Sequence, residues 1–587
     1  MSSVSHAVHL VAAIATTLVL AAAPLAAQSG GAARCPAGST VPVASASGMR
    51  IREVRIVSAP PLALGGFNAP FHVTTRDGTI RQRLLMAAGD TVDTLRVSEA
   101  LRRINRLQFL TGAEISASCA SEGNVDLVVA TRDAWSMQPR VRLRSASSAV
   151  VGIEESNLLG TGRGARAYLR EDPGQLAAGV AYSDPSLFGT AMSTTLYRDA
   201  FRDGAAWGAI ASTRDISAFE RTSIVALVSQ SARQSSLPAS SGMTGDTVRR
   251  AIGSVLLARR ISLSASGGTF LQFGAEGERT LLAANSDLPL VGPASVRRSF
   301  VGADIGVARR TLRYTNVAWL AAPSARHDTL VADAAEVPTG WSADAVVALG
   351  KDFAVRRPAA HLDAWARRVW ALGDDGERGP ARVLVVGDVW ASGYRALAAH
   401  PAEWNGGSLR TSIALASPAT RGLWTARFAA ERLLDPDPDM RSLAMSDPVL
   451  RAFPSASRLA ESTVSGSVER SRHFADVPGG YVLGGVLFAA ASMRWDPAVR
   501  NTPAAVAGPM PHFGVAPATI GMPDGDRLYA GSLGAGLLLT PHRFIRSAIR
   551  IDVGFPVLRS PQIARRPYLS FSLVPSLGNG RQRTGAP

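Results

Sequence analysis

Lysine is almost missing from this 587-residue chain: Lys351 is the single one, against 62 lysines and arginines together. The net charge of +16 and the isoelectric point near 10.9 therefore come from arginine. The arginines are scattered along strand-like segments and form no basic run interleaved with aromatics, so no nucleic-acid partner is expected. A coding bias toward arginine accounts for the excess; a basic lumen or rim that meets acidic lipid headgroups or peptide carboxylates is the functional counterpart.

Cysteine is nearly absent too, with Cys35 and Cys119 alone. Their spacing to His72 or any other histidine forms no zinc pattern, and no metal is expected. In an oxidising compartment the pair can close a disulfide that ties the N-terminal lead to the first folded module; two unpaired thiols are the alternative. Also lacking are a Gly-x-Ser-x-Gly elbow, a His-Glu-x-x-His and a phosphate-binding Gly-Lys-Ser/Thr. Gly160-Thr-Gly-Arg-Gly164 is followed by strands rather than a helix, so hairpin turns explain its glycines. Neither an enzyme nor a cofactor is expected.

Long apolar runs are confined to the beginning. Val8 to Ala27 is apolar and Ala-rich, with Pro24 and then Leu25-Ala26-Ala27 before Gln28, which reads as a cleaved export signal over residues 1–27. Met1 to His9 carries no lysine or arginine, and an uncleaved anchor helix is the alternative. Cys35 lies well beyond the run, so no lipid anchor is implied. No later run is long enough to span a bilayer as a helix, although 46% of the residues are hydrophobic and mean hydropathy is +0.10. Spanning is then possible only as a closed barrel, which hides its apolar residues by alternation. A large secreted all-β protein with a dry core fits the same alternation.

What is present falls into segments. Residues 28–49, rich in Ala, Ser, Gly and Pro, read as a linker. A module over 50–134 follows in the order strand, helix, helix, strand, strand. Its strands are Ile51 to Ser58, Ala113 to Ser118 and Val125 to Thr131; its helices are Ile80 to Ala87 and Arg96 to Leu107. In the second helix Val97, Leu101, Ile104 and Leu107 share one face, with Asp93 or Thr94 placed to cap it. This order, with Val54-Arg-Ile-Val57, Gly89-Asp90 and Val125-Asp-Leu-Val-Val-Ala-Thr-Arg-Asp133, resembles a POTRA domain, the periplasmic polypeptide-transport-associated module. Such a module offers a strand edge to which an extended client segment adds by backbone pairing; a spacer that orients a barrel is the blander role.

Residues 139–577 read as strands throughout, followed by a tail over 578–587. Sixteen strands, a count partly set by family resemblance, would take about 27 residues per strand and connection, which strands of about 9 to 11 residues with uneven loops accommodate. The Pro/Gly-rich stretches Ser235 to Asp246, Arg326 to Thr339 and Asn501 to Asp526 are expected as extracellular loops. Trp135, Trp207, Trp319, Trp341, Trp370 and Trp390 are candidates for interface girdles, or are simply packed.

Asn157-Leu-Leu-Gly-Thr-Gly162 and Tyr182-Ser-Asp-Pro-Ser-Leu-Phe-Gly189 resemble the opening of barrels in the BamA/TamA-type outer-membrane assembly superfamily, the bacterial surface antigen family. Gly534-Ala-Gly-Leu-Leu-Leu-Thr-Pro541 and Ile549-Arg-Ile-Asp-Val-Gly-Phe-Pro556 are similar to its penultimate strands. Leu450, Arg451, Ala452, Phe453 and Pro454 resemble its Arg-Gly-aromatic motif, at the tip of a loop that folds into the lumen. The resemblance implies a fold that is mainly β, a transmembrane antiparallel barrel preceded by one small α+β POTRA-like domain. It makes Arg451 a lumen-facing cation and Phe453 a packed aromatic, and Glu469 and Asp552 are the candidate partners of that cation, because a desolvated guanidinium needs carboxylates.

By the same resemblance, the protein sits in the bacterial outer membrane with its module in the periplasm and assists insertion or translocation of client polypeptides. A weak seam between the first and last strands, near Arg140 to Ile153 and Tyr568 to Val574, would template client strands. Its partners would be outer-membrane lipids, client polypeptides at a strand edge and accessory periplasmic proteins. Ala452 in place of Gly, a last strand without a terminal aromatic and a single module depart from the pattern and point away from an essential housekeeping role. A two-partner-secretion transporter and a porin-like or structural surface barrel are the alternatives.

Overall fold

The computed structural model describes residues 38–61, 72–107, 109–121, 123–145, 148–172, 175–201, 204–213, 218–235, 246–264, 266–283, 295–316, 336–373, 383–396, 407–419, 422–434, 462–477, 481–495, 527–541, 547–559 and 567–575. The expected export signal lies outside them.

The N-terminal module comprises β1 (Thr40–Val41), β2 (Arg50–Ala59), α1 (Asp77–Arg81), α2 (Thr94–Asn105), β3 (Leu110–Ser121) and β4 (Asn124–Asp133). Its sheet runs β1-β3-β4-β2, with β2 parallel to β4 and left as an edge. Asp93 starts α2 as expected, its Oδ1 accepting the Leu95 N–H at 2.9 Å and so satisfying a donor that the first helical turn leaves orphaned. Val97, Ile104 and Leu107 are buried against Ile51, Val54, Leu127 and Val129, and each such side chain contributes about 1.5–3 kcal/mol.

Two expectations need correction here. The helix over Ile80 to Ala87 is only the short α1, Asp77–Arg81; Ile80 and Met86 reach the core from a helix end and from the irregular segment after it. The linker is partly structured, because β1 pairs with β3 through Thr40 opposite Ser118, and Ala46 and Met49 enter the core.

The barrel follows, with no α-helix among its described residues and one 3-10 turn at Leu187–Gly189. Its first ten strands are β5 (Met137–Ser145), β6 (Ser148–Leu158), β7 (Arg163–Asp172), β8 (Gln175–Asp184), β9 (Met192–Phe201), β10 (Gly204–Thr213), β11 (Thr222–Ser235), β12 (Asp246–Ser264), β13 (Gly267–Ala283) and β14 (Ser295–Thr311). A separate ladder pairs β15 (Tyr314–Asn316) with β16 (Glu336–Pro338). The barrel resumes with β17 (Gly340–Asp352), β18 (Arg357–Leu372), β19 (Val383–Ala396), β20 (Gly407–Ala419) and β21 (Gly422–Leu434). It ends with β22 (Ser462–Val477), β23 (Tyr481–Trp495), β24 (Arg527–Pro541), β25 (Ser547–Arg559) and β26 (Tyr568–Pro575). Every neighbouring pair is antiparallel, and β26 returns to β5 to close the ring.

Twenty strands close the barrel among the described residues, against the expected sixteen. The early strands are short, 9 to 11 residues from β5 to β10, and three pairs of them are separated by only two residues. The sixteen, taken partly from the family resemblance, is therefore too few. Parity fixes the sides: the module precedes β5, so alternate connections fall on its side. The strands β14 and β17 are joined on the module side, so the stretch Arg326 to Thr339, of which residues 326–335 lie outside the described residues, is not on the side away from the module as expected.

The alternation is inside out. Along β25, Ile551, Val553, Phe555 and Val557 are exposed, while Arg550 is 9% and Asp552 2% exposed. β14 repeats the pattern, with Val301 and Ile305 outward and Asp304 inward. In water this would forfeit the burial of a whole apolar face; in hydrocarbon it is the arrangement that hides charge in the lumen.

Candidate functional site

Three features meet at the barrel: a seam, a lumenal ion cluster and a docked module. At the seam, β26 meets β5 through two registered pairs, Phe571 with Leu143 and Ser572 with Arg142. Every other neighbouring pair in the ring has eight or more, as in β5 with β6 and β25 with β26. Arg140 forms an ion pair with Glu154 that ties β5 to β6 on the far side of the seam.

The lumenal cluster contains both carboxylates expected from the sequence, with a different cation. Arg550 donates through Nη1 and Nη2 to the two oxygens of Glu469 at 2.8 and 3.0 Å, and through Nε to Asp552 at 2.8 Å. Glu469 stands on β22 and Asp552 on β25, so the guanidinium reaches over β23 and β24. Gly534 and Gly536 on β24 make the passage. A Cβ on Gly536 would stand 2.1 Å from Asp552 Oδ1, and one on Gly534 would stand 2.2 Å from the Phe488 ring. Arg451 and the rest of the Leu450 to Pro454 motif lie outside the described residues. Arg550 was missed by sequence reasoning, although its place two residues before Asp552 puts both on one face of the strand.

A second brace sits across the lumen toward the end away from the module. Glu278 accepts from Arg250 at 3.0 Å and pairs with Arg298 at 3.3 Å. Arg298 lies 4.0 Å over the Tyr394 ring, whose hydroxyl donates to the buried Asp352. Sequence reasoning identified none of these residues.

The module is docked on the barrel mouth. Its α1 region receives the β6–β7 turn: Asn157 Nδ2 donates to Thr75 Oγ1 at 2.9 Å, and its Oδ1 accepts the Gly162 N–H at 2.7 Å. The Arg76 N–H and the Thr79 hydroxyl donate to the Gly160 carbonyl at 2.9 and 3.1 Å. Gly160 and Gly162 have φ of +73° and +70°, and a Cβ on Gly160 would stand 2.4 Å from the Thr74 carbonyl oxygen. Buried Asp133 accepts from the Thr75 N–H and contacts His72 Nε2, both at 2.8 Å. Thus the Asn157 to Gly162 motif is a docking turn as well as a hairpin.

At the other end of the module, α2 touches two further connections. Arg103 pairs with Glu220, between β10 and β11, at 2.8 Å. Arg102 lies 3.8 Å over the ring of Tyr314, between β14 and β17, and burial pushes that phenol's pKa up. In the module sheet, Arg52 donates to Asp126 at 2.8 Å and holds its carboxyl below the usual range.

Of the remaining expected residues, Cys119 is buried and disulfide-bonded, while Cys35 lies outside the described residues. Trp207, Trp341 and Trp370 face outward, and Trp424, not foreseen, joins them. Trp390 points into the lumen, where its Nε1 donates to Asp363, and Trp319 lies outside the described residues. Among the described residues no group of three or more His, Cys, Asp or Glu is placed to hold a metal.

No family model matches the chain, and neither does any curated protein. Among solved structures it is similar to BamA from Haemophilus ducreyi lacking POTRA domains 1–3, at 12% identity over 89% of this chain and 84% of that one, with a TM-score of 0.38. It is also similar to CdiB from Escherichia coli, at 13% identity over 89% and 76% with a TM-score of 0.46. CdiB from Acinetobacter baumannii gives 10% identity over 90% and 74%, with a TM-score of 0.37.

Proposed function

We propose that this chain is an outer-membrane barrel of the assembly superfamily, in which a β5–β26 seam admits strands of client polypeptides for insertion or translocation, with a POTRA-like module in the periplasm. The observation that carries the reading is the two-pair ladder of the seam beside ladders of eight or more. Backbone groups in hydrocarbon must stay paired, so a seam opens only where little pairing is lost and a client strand replaces it. Two pairs represent on the order of 1–3 kcal/mol net, whereas any other ladder would forfeit several times that.

Further support is β2, an edge strand of the module's sheet: its start is covered by backbone bonds of Ile51 to Gly89 and Asp90, and the strand beyond is the kind of element that pairs an extended segment. A passive porin fits less well, because the module is docked over the mouth through Asn157, Arg103 and Arg102. No covalent chemistry is required.

The test is a seam lock. Leu143→Cys with Phe571→Cys joins directly opposed residues, at a separation suited to a disulfide. In proteoliposomes offered an unfolded barrel client, the oxidised double variant loses insertion and regains it on reduction. Full activity with the seam locked would overturn the reading.

A further inference from the structure

The outward face of β17, β18 and β19 carries an unusual cation. Arg368 stands opposite Trp341 in the β17–β18 register and two residues from Trp370 on the same face. Its guanidinium lies 4.9 Å from the Trp341 ring and 5.0 Å from the Trp370 ring. Both indoles are exposed, at 48% and 37%. No carboxylate among the described residues lies within ion-pair reach of Arg368. On the other flank stands Gly387, opposite Arg368 in the β18–β19 register. A Cβ there would stand 3.3 Å from the Trp370 ring, so the missing side chain gives the indole its seat.

Above Arg368, away from the module, the face becomes small and apolar. Ala343 is paired with Ala366, and Ala345 with Ala364, on that same face. Leu362 then marks the end of the lane. Six residues from Arg368 to Leu362, at about 3.3 Å each and tilted by ~40°, cover ~15 Å along the membrane normal. That is the hydrocarbon depth of one leaflet, half of about 30 Å.

We propose that Arg368, Trp341 and Trp370 bind the phosphate of a phospholipid headgroup in the module-side leaflet, with one acyl chain lying along the alanine lane. The chemistry is complementary. The two indoles hold the guanidinium, and its edge N–H groups remain as a planar fork for phosphate oxygens. An outward arginine without a carboxylate at the bilayer boundary calls for an anion from the lipid itself. Small residues leave the shallow trough that a chain fills. The proposal rests on the barrel spanning a bilayer.

Native mass spectrometry of the detergent-solubilised full chain provides the test, with phosphatidylglycerol and a diacylglycerol of the same chains as probes. Wild type retains phosphatidylglycerol in preference to diacylglycerol. Arg368→Gln weakens phosphatidylglycerol about tenfold, ~1.4 kcal/mol, and leaves diacylglycerol unchanged. Gly387→Val, which displaces the Trp370 ring without touching charge, also weakens it. Arg470→Gln, whose cation lies 5.2 Å over Trp424 alone, keeps wild-type affinity. Equal binding of the two lipids, equal loss in Arg470→Gln, or wild-type affinity in both Arg368→Gln and Gly387→Val overturns the site. A heat-modifiable compact band in each variant separates failure of the site from failure of the barrel reading, which would abolish that band in wild type.

Discussion

Arg550 and Glu469 meet as a two-pronged ion pair although two strands of the barrel wall, β23 and β24, lie between theirs. The span is possible because β24 presents glycine where the side chains cross.

Removing the cation while leaving the carboxylates is the costly change. Arg550→Met strands Glu469 and Asp552 in the lumen without this partner, and breaking a buried pair in this way costs about 3–5 kcal/mol. The compact band on unboiled gels then converts to the unfolded form at a lower temperature than in wild type. An unchanged conversion temperature counts against the brace.

Gly536→Ala tests the passage rather than the charge. Its new Cβ must displace the Asp552 carboxylate from 2.1 Å, at a cost of about 1–3 kcal/mol from overpacking. Gly466→Ala in β22 serves as the control, because a Cβ there finds no atom nearer than 3.8 Å. The first lowers the gel conversion temperature and the second leaves it in place.

Docking of the module is tested at α2. Arg103→Glu sets like charges against Glu220 and against the buried Glu99, and Glu220→Arg in the same chain restores the first pair alone. Limited trypsin digestion in detergent releases the module fastest from the single variant and at an intermediate rate from the double. Asn157→Ala at the other end loses two hydrogen bonds, about 1–3 kcal/mol if a donor is left unsatisfied, and accelerates release as well.

Asp126 gives the module an acid limit. Its folded pKa is depressed by the Arg52 hydrogen bond, so the stabilisation is complete above the unfolded carboxylate value of about 3.9. It is lost as pH falls through the lower folded value. Pepsin cleavage of the solubilised chain between β2 and β4 rises over that interval in wild type. In Asp126→Asn the pH step is absent.

The sequence places the local elements well and the global count poorly. Asp93 and the Val97, Ile104, Leu107 face define α2 because capping and a 3.6-residue period are local properties. Glu469 and Asp552 were named as lumenal carboxylates and do converge, yet Arg550, their described cation, was read only as one more alternating strand residue. The number of strands depends on separations as short as the two residues between β9 and β10, which leave little trace in composition. The side of the β14–β17 connection and the facing of Trp390 depend on parity, so one miscounted strand or residue reverses them.

The module's attachments are far apart on the ring. The β6–β7 turn held by Asn157 and the β14–β17 connection touched by Arg102 are separated by eight of the twenty strands. Two-fifths of a circumference corresponds to nearly a full diameter, and the first of these points is one strand removed from the seam strand β5. The module therefore grips the barrel as a calliper grips a tube. Any widening of the ring between these points changes the distance between its jaws, so the module must register the cross-section of the barrel it is docked on.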